Sequence, residues 1–288
     1  MIHTFKKKIK MKKRTLKDIL DKKLSNEKIT MLTAYDYPTA KLIDQVGIDI
    51  ILVGDSVANV VLGLESTKEM TMDQMIYHAS AVRRGTEKAL VVGDMPFESY
   101  QLDSAQATCN ARRFVDEAGC DAIKLEWFDR CLEVAREIVK SGIPVMGHIG
   151  LTPQTAEALG GFKVQGKDAE SAKRLINQAE ALEREGCFSL VLECIPDKIA
   201  EMITKKLKIP TIGIGAGPHC DGQVLVTHDI LGLFDRFKPK FIKQYFDLSS
   251  MIKNAVTLYR NEVLSGQFPA KEQSFTMKEE EINKLRDK

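Results

Sequence analysis

Eight short apolar runs punctuate the chain: ITMLTAYD (29–36), DIILVGDS (49–56), ALVVGDMPF (89–97), AIKLEW (122–127), PVMGHIGL (144–151), SLVLECIP (189–196), PTIGIGAG (210–217) and QVLVTHD (223–229). Each is rich in Val, Ile and Leu over several consecutive positions, the pattern of parallel strands buried on both faces. The stretches between them are amphipathic. In 103–118, Ala107, Ala111, Phe114, Val115 and Ala118 recur at spacings of three and four, which predicts a helix with one buried face. Segments 71–84, 129–140 and 168–185 follow the same rule, and Gly85, Gly119, Gly142 and Gly186 stand where helices should stop. This eightfold strand–helix alternation predicts a (β/α)8 TIM barrel, with an extra C-terminal helix at 249–265. An open doubly wound sheet is the alternative. It is disfavoured by the even spacing of the units and by the lack of a Gly-rich turn after the first strand.

The charged ends lie outside this pattern. Residues 1–14 carry seven Lys or Arg and no acid, and without them the rest of the chain is net acidic. We expect residues 1–25 to form a basic N-terminal extension, with the arm as a solvated tail. Residues 26–275 are expected to form the catalytic domain and 276–288 a charged tail. Met11 leaves a second possible start. No apolar stretch follows the arm, as a secretory signal requires, and no window approaches the ~18 apolar residues of a membrane span.

With 42 basic and 40 acidic residues, the overall charge of +2 gives no reason to expect a nucleic-acid or membrane partner. Cys109, Cys120, Cys131, Cys187, Cys194 and Cys220 form no C-x-x-C pair. Scattered thiols of this kind suit reduced, mostly buried cysteines and a cytoplasmic setting.

In such a barrel the chemistry sits at the C-terminal ends of the strands. The runs end in, or carry, Asp55-Ser56, Asp94, Lys124 and Glu126, His148, and Glu193. Side chains two apart on a strand share a face, so Lys124 and Glu126 should face the barrel mouth while Leu125 packs outward. Asp55, Asp94 and Glu126 would then converge, and three such charges need a compensating cation. An all-oxygen site of this kind suits Mg²⁺ better than zinc. Taken singly, each position has a plainer reading: Asp55 as a helix cap, His148 as a satisfied core histidine, and Glu193 as a buried carboxylate without a proton to move. The GIGAG run (213–217) reads as a tight barrel turn rather than a phosphate loop, and His78 and His228 have no evident partners.

Long motifs at and around these positions resemble ketopantoate hydroxymethyltransferases. They are TAYDYPTAKLIDQVGIDIILVGDS, MTMDQMIYHASAVRRG, GDMPFESY, GHIGLTPQ, GGFKVQGK, LVLECIP, TIGIGAG, DGQVLVTHD and GLFDRFKPKFIKQY, in family order over roughly 26–275. The resemblance implies metal ligands at Asp55, Asp94 and Glu126, and keto-acid contacts at Asp55, Ser56, Asp94 and Lys124. It matches His148 to the family's histidine and Glu193 to its proposed proton acceptor. It further implies Mg²⁺, 5,10-methylenetetrahydrofolate as co-substrate, α-ketoisovalerate as acceptor, and a homo-oligomer, commonly a decamer. One departure stands beside the site: where the family usually continues K-x-E with two glycines, this chain has Trp127-Phe128. A Mg²⁺-dependent lyase or mutase of the isocitrate lyase and phosphoenolpyruvate mutase kind is the alternative, although the K-K-C-G-H type loop of the lyases is missing. A non-catalytic barrel is the remaining rival.

Overall fold

The computed structural model describes residues 12–156, 161, 163–236 and 239–286. Eight parallel strands close into a barrel in sequence order: β1 (Ile29–Thr33), β2 (Ile50–Val53), β3 (Leu90–Asp94), β4 (Ala122–Glu126), β5 (Val145–Gly150), β6 (Ser189–Glu193), β7 (Thr211–Ile214) and β8 (Gly222–Leu225), with β8 pairing β1. Every apolar run of the sequence contributes one strand. The helices among the described residues are α1 (Leu16–Leu24), α2 (Tyr37–Val46), α3 (Val57–Val60), α4 (Met72–Gly85), α5 (Ser104–Asp116), α6 (Cys131–Lys140), α7 (Ala169–Arg184), α8 (Asp197–Lys206), α9 (Thr227–Leu231), α10 (Leu248–Leu264) and α11 (Glu279–Arg286). The helix expected at 249–265 is α10.

Strand alternation divides the core in two. Met31, Ile50, Leu52, Leu90, Val92, Ala122, Met146, Val191 and Ile212 fill the barrel interior. Their sequence neighbours Ile51, Val53, Val91, Ile123, Leu125, Val145, Leu190 and Leu192 pack outward against the helices. Leu125 therefore faces outward as expected. The side chains two and four places beyond Ala122, namely Lys124 and Glu126, continue the inward row up to the mouth.

The glycines after α5, α6 and α7 stop their helices at left-handed φ: 71° at Gly119, 86° at Gly142 and 91° at Gly186. Gly85 works differently. It is the last residue of α4, and a β-carbon there would sit 2.5 Å from the Tyr37 carbonyl oxygen. Gly85 thus lets α2 and α4 approach closely, and Thr86 caps α4 instead.

The expectation for the N-terminal arm needs correction. Residues 1–11 lie outside the described residues, but from Lys13 the arm is anchored on the barrel, and the folded body begins well before residue 26. A Thr15 capping box starts α1, and Ile19, 0% exposed, packs into the open lower end of the barrel with Ile29 and Ile50. The cations beside it are anchored on carboxylates of the barrel floor: Lys13 on Asp121 (2.6 Å), Arg14 (3.1 Å) and Lys22 (2.7 Å) on Asp49, and Lys23 on Asp221 (2.7 Å). Their basic character reflects the acids they meet. Ile19→Ala should lower unfolding free energy by about 2–5 kcal/mol, measured by urea denaturation; an unchanged midpoint would mean that α1 is not part of the barrel core.

Candidate active site

The strand register decides which polar side chains meet at the mouth. Asp94 pairs with Lys124 across β3–β4, and Glu126 with His148 across β4–β5. These cross-strand neighbours become contacts. Lys124 Nζ donates to Asp94 Oδ1 at 2.6 Å, and both side chains are buried. The other Asp94 oxygen, Oδ2, accepts the Asp55 backbone N–H at 3.1 Å, which ties the end of β2 to that of β3. His148 lies between two acids, with Nδ1 3.4 Å from Glu126 and Nε2 3.2 Å from Glu193. Both are within ion-pair reach but off the line of a hydrogen bond, and Glu126 Oε1 likewise has no hydrogen-bond partner among the described residues. Ser56 Oγ shares a hydrogen bond of 2.8 Å with Tyr35 Oη.

Asp55, Ser56, Asp94, Lys124, Glu126, His148 and Glu193 are thus all at the C-terminal mouth. Burial pushes the Asp94 carboxyl up to about 7; Lys124 opposes the shift, while Asp55 and Glu126 add to it. Burial also raises Glu126, and its neighbours His148 and Lys124 restrain it. For Lys124, burial favours the neutral amine, but Asp94, Glu126 and Asp55 outweigh it and hold the ammonium charged. Burial and Lys124 pull the His148 imidazole down, yet Glu126 and Glu193 prevail and hold it up at about 9. The site is a low-dielectric cluster in which negative charge exceeds positive.

Several contributors lie off the strand ends. Gln154, in the turn after β5, is 0% exposed and bonds to both Asp55 and Glu126. Tyr100 Oη donates to Gln154 Oε1. Tyr35 holds Ser56, packs its ring 5.4 Å from that of His228, and meets His78 Nδ1 at its carbonyl oxygen (2.7 Å). Gln154 and Tyr35 fall inside the motifs GHIGLTPQ and TAYDYPTAK, but nothing in strand periodicity marks their roles. Cys194, directly after Glu193, has φ of 47°, an uncommon left-handed backbone for a non-glycine residue, and there β6 ends. The GIGAG run closes β7 with Gly213 and Ile214 and then bends, with Gly215 and Gly217 at φ of 63° and 76°. Trp127 and Phe128 line a cavity of about 650 Å³ beside the mouth, together with Arg130, Thr152 and Arg174.

A closed parallel barrel carrying this buried acid–lysine–histidine cluster at its C-terminal end defines a (β/α)8 enzyme. Known proteins agree. The fold resembles phosphonopyruvate hydrolase in complex with oxalate and Mg++, with a TM-score of 0.60, 11% identity and coverage of 95% of each chain. It also resembles 2,3-dimethylmalate lyase, a PEP mutase/isocitrate lyase superfamily member, with a TM-score of 0.56 at 12% identity over 91% of this chain and 92% of that one. At such identities the likeness is one of fold. In sequence, the profile of ketopantoate hydroxymethyltransferase matches residues 13–271. The 3-methyl-2-oxobutanoate hydroxymethyltransferase of Syntrophomonas wolfei subsp. wolfei is 52% identical over 94% of this chain and 98% of its own. The enzyme of the same name from Syntrophobacter fumaroxidans is 54% identical over 94% and 96%. The chain belongs to the ketopantoate hydroxymethyltransferase family.

The Asp94–Lys124 pair yields a stability prediction. Lys124→Met keeps the bulk but leaves a buried acid without its counter-charge, and should cost about 3–5 kcal/mol in urea unfolding with EDTA present. Undiminished stability would mean that another group neutralises Asp94.

Proposed function

We propose that this protein transfers a one-carbon unit from 5,10-methylenetetrahydrofolate to α-ketoisovalerate (3-methyl-2-oxobutanoate), giving ketopantoate (2-dehydropantoate) in pantothenate and coenzyme A synthesis. The observation that carries this reading is the buried Asp94–Lys124 pair flanked by Asp55 and Glu126, in a chain 52–54% identical to enzymes bearing that name.

The residues suit Mg²⁺. Three buried acids, Asp55, Asp94 and Glu126, accompany one lysine, and a Glu126 oxygen has no hydrogen-bond partner among the described residues. These acids would hold the ion. Among the described residues no three His, Cys, Asp or Glu side chains are already gathered as a metal site, so the three acids would have to draw together on the ion, with water oxygens filling the rest of the shell as Mg²⁺ commonly prefers. When bound, Mg²⁺ supplies positive charge that makes the C3 proton of the keto acid more acidic.

The remaining tasks fall to side chains. Lys124 faces charge developing on the substrate oxygens, and the Ser56 hydroxyl, held by Tyr35, contributes a hydrogen bond. Glu193 takes the C3 proton; of the acids named, its side chain is the most exposed, at 14%, and so the best placed to reach bound substrate. The electron pair left at C3 forms the new bond to the methylene carbon of the folate as one C–N bond of the bridge breaks, and the proton taken from C3 ends on that nitrogen. Water then replaces the second nitrogen on that carbon: its hydroxyl stays on the product, its other proton goes to the departing nitrogen, and tetrahydrofolate leaves. His148, between Glu126 and Glu193, orients Glu193.

We assign the folate to the 650 Å³ cavity, where Trp127 and Phe128 offer aromatic faces and Arg130 and Arg174 offer cations for its glutamate carboxylates. The ion pairs of both, Arg130 with Glu133 and Arg174 with Glu170, are exposed near-neighbour pairs that are readily exchanged, and Arg130 also donates to the Leu102 carbonyl oxygen at 2.7 Å. A cytoplasmic homo-oligomer, decameric as the family resemblance suggests, completes the reading. It is supported by α10, where Ile252, Val256, Tyr259 and Val263 form an exposed apolar stripe and no residue is buried. No described helix is long and apolar enough to cross a membrane.

In D₂O with Mg²⁺, wild-type protein should exchange the C3 proton of α-ketoisovalerate and, once folate is added, form ketopantoate; no ketopantoate under any of these conditions would remove the assignment. Glu193→Gln should lower kcat by ~10²–10⁴-fold with little change in KM for the keto acid. Trp127→Ala should raise KM for the folate about 2- to 12-fold through lost ring contact, and an unaltered KM would place the donor elsewhere.

A further inference from the structure

Gln154 is the point at which the mouth's separate elements are tied together. It lies in the short turn Pro153–Thr155 after β5 and is completely buried. Its backbone N–H donates to Glu126 Oε2 at 3.0 Å, from the end of β4. Its side-chain Nε2 donates to Asp55 Oδ2 at 2.8 Å, beyond β2, and to the Met95 carbonyl oxygen at 3.1 Å, beyond β3. Its Oε1 accepts the Tyr100 hydroxyl.

The chemistry of these partners fixes the orientation of the amide. Nε2 has two protons and faces two acceptors, while Oε1 faces a donor. A flipped amide would set oxygen against a carboxylate and a carbonyl, and would leave the phenol without an acceptor. Tyr100, 1% exposed and braced edge-on by Phe128 with ring centroids 5.3 Å apart, is therefore the lock on that orientation. Through Gln154, one oxygen of Asp55 and one of Glu126 are committed to protein donors. The remaining Glu126 oxygen has no hydrogen-bond partner among the described residues.

We propose that Gln154, locked by Tyr100, is a positioning residue for the reaction assigned above: it sets the rotamers of Asp55 and Glu126 so that their free oxygens face the cation and the keto acid. The inference rests on that functional reading. A neutral amide suits this place because it bridges two acids without adding charge. Glutamate at position 154 would present only acceptors to Asp55 and Met95.

The test compares wild type with Tyr100→Phe and Gln154→Met, each titrated calorimetrically with MgCl₂, assayed for turnover and melted. Tyr100→Phe removes one hydroxyl and keeps the ring, so it preserves a measurable fold if Gln154→Met does not. Both variants should bind Mg²⁺ about 10- to 100-fold more weakly, the usual effect of losing a group that orients a ligand. Their kcat should fall while the melting transition stays cooperative. Wild-type Mg²⁺ affinity together with wild-type turnover in folded Tyr100→Phe would overturn the inference. If wild type itself turns over but binds no Mg²⁺, the metal reading fails separately. Positioning is then supported by a tenfold or greater fall in kcat in Tyr100→Phe, and overturned by unchanged kcat.

Discussion

The mouth of this barrel is organised around one buried ion pair. Lys124 lies 2.6 Å from Asp94, and Asp55 and Glu126 are near enough to influence its charge. In a low-dielectric setting such a pair is worth keeping only if its geometry is held from all sides. The barrel provides this through register: Asp94 and Lys124 are opposed across adjacent strands, so backbone pairing delivers the contact before any side chain chooses a rotamer. The surplus of acid over base that remains is a source of electrostatic strain, and the same surplus suits the mouth to a cation.

The two ends of the barrel solve opposite problems. At the floor, acids on the connections, Asp49, Asp121 and Asp221, are matched by Lys and Arg of the N-terminal segment, and Ile19 fills the interior below the first layers. At the mouth the match is incomplete. Charge is thus neutralised where only stability is at stake and left unbalanced where chemistry is expected, a distribution common at functional sites.

The fold was readable in the sequence because buried parallel strands must be apolar on both faces, and all eight apolar runs became strands. The polar ends of those runs were readable for the same reason: a charged residue closing an apolar strand has few places to go except the mouth. Period-two alternation correctly separated Lys124 and Glu126 from Leu125. The features that escaped depend on tertiary placement. Gln154 lies in a turn, where no periodicity applies, and its partners are 28 and 99 positions away in sequence. The basic N-terminal segment looked like a tail because its acidic partners are equally remote. Gly85 looked like a helix stop because the chain crossing it is invisible in one dimension.

The sealed floor also governs traffic. With α1 filling the lower opening, the polar cluster communicates with bulk water from one side only. Asp55, Asp94, Lys124, Glu126 and His148 are each at most 5% exposed, whereas the Glu193 side chain is 14% exposed. Glu193 is therefore the carboxylate of this cluster most open to solvent, and the His148 imidazole lies 3.2 Å behind it. In that sense the barrel is a blind-ended conduit, with Glu193 at its open end.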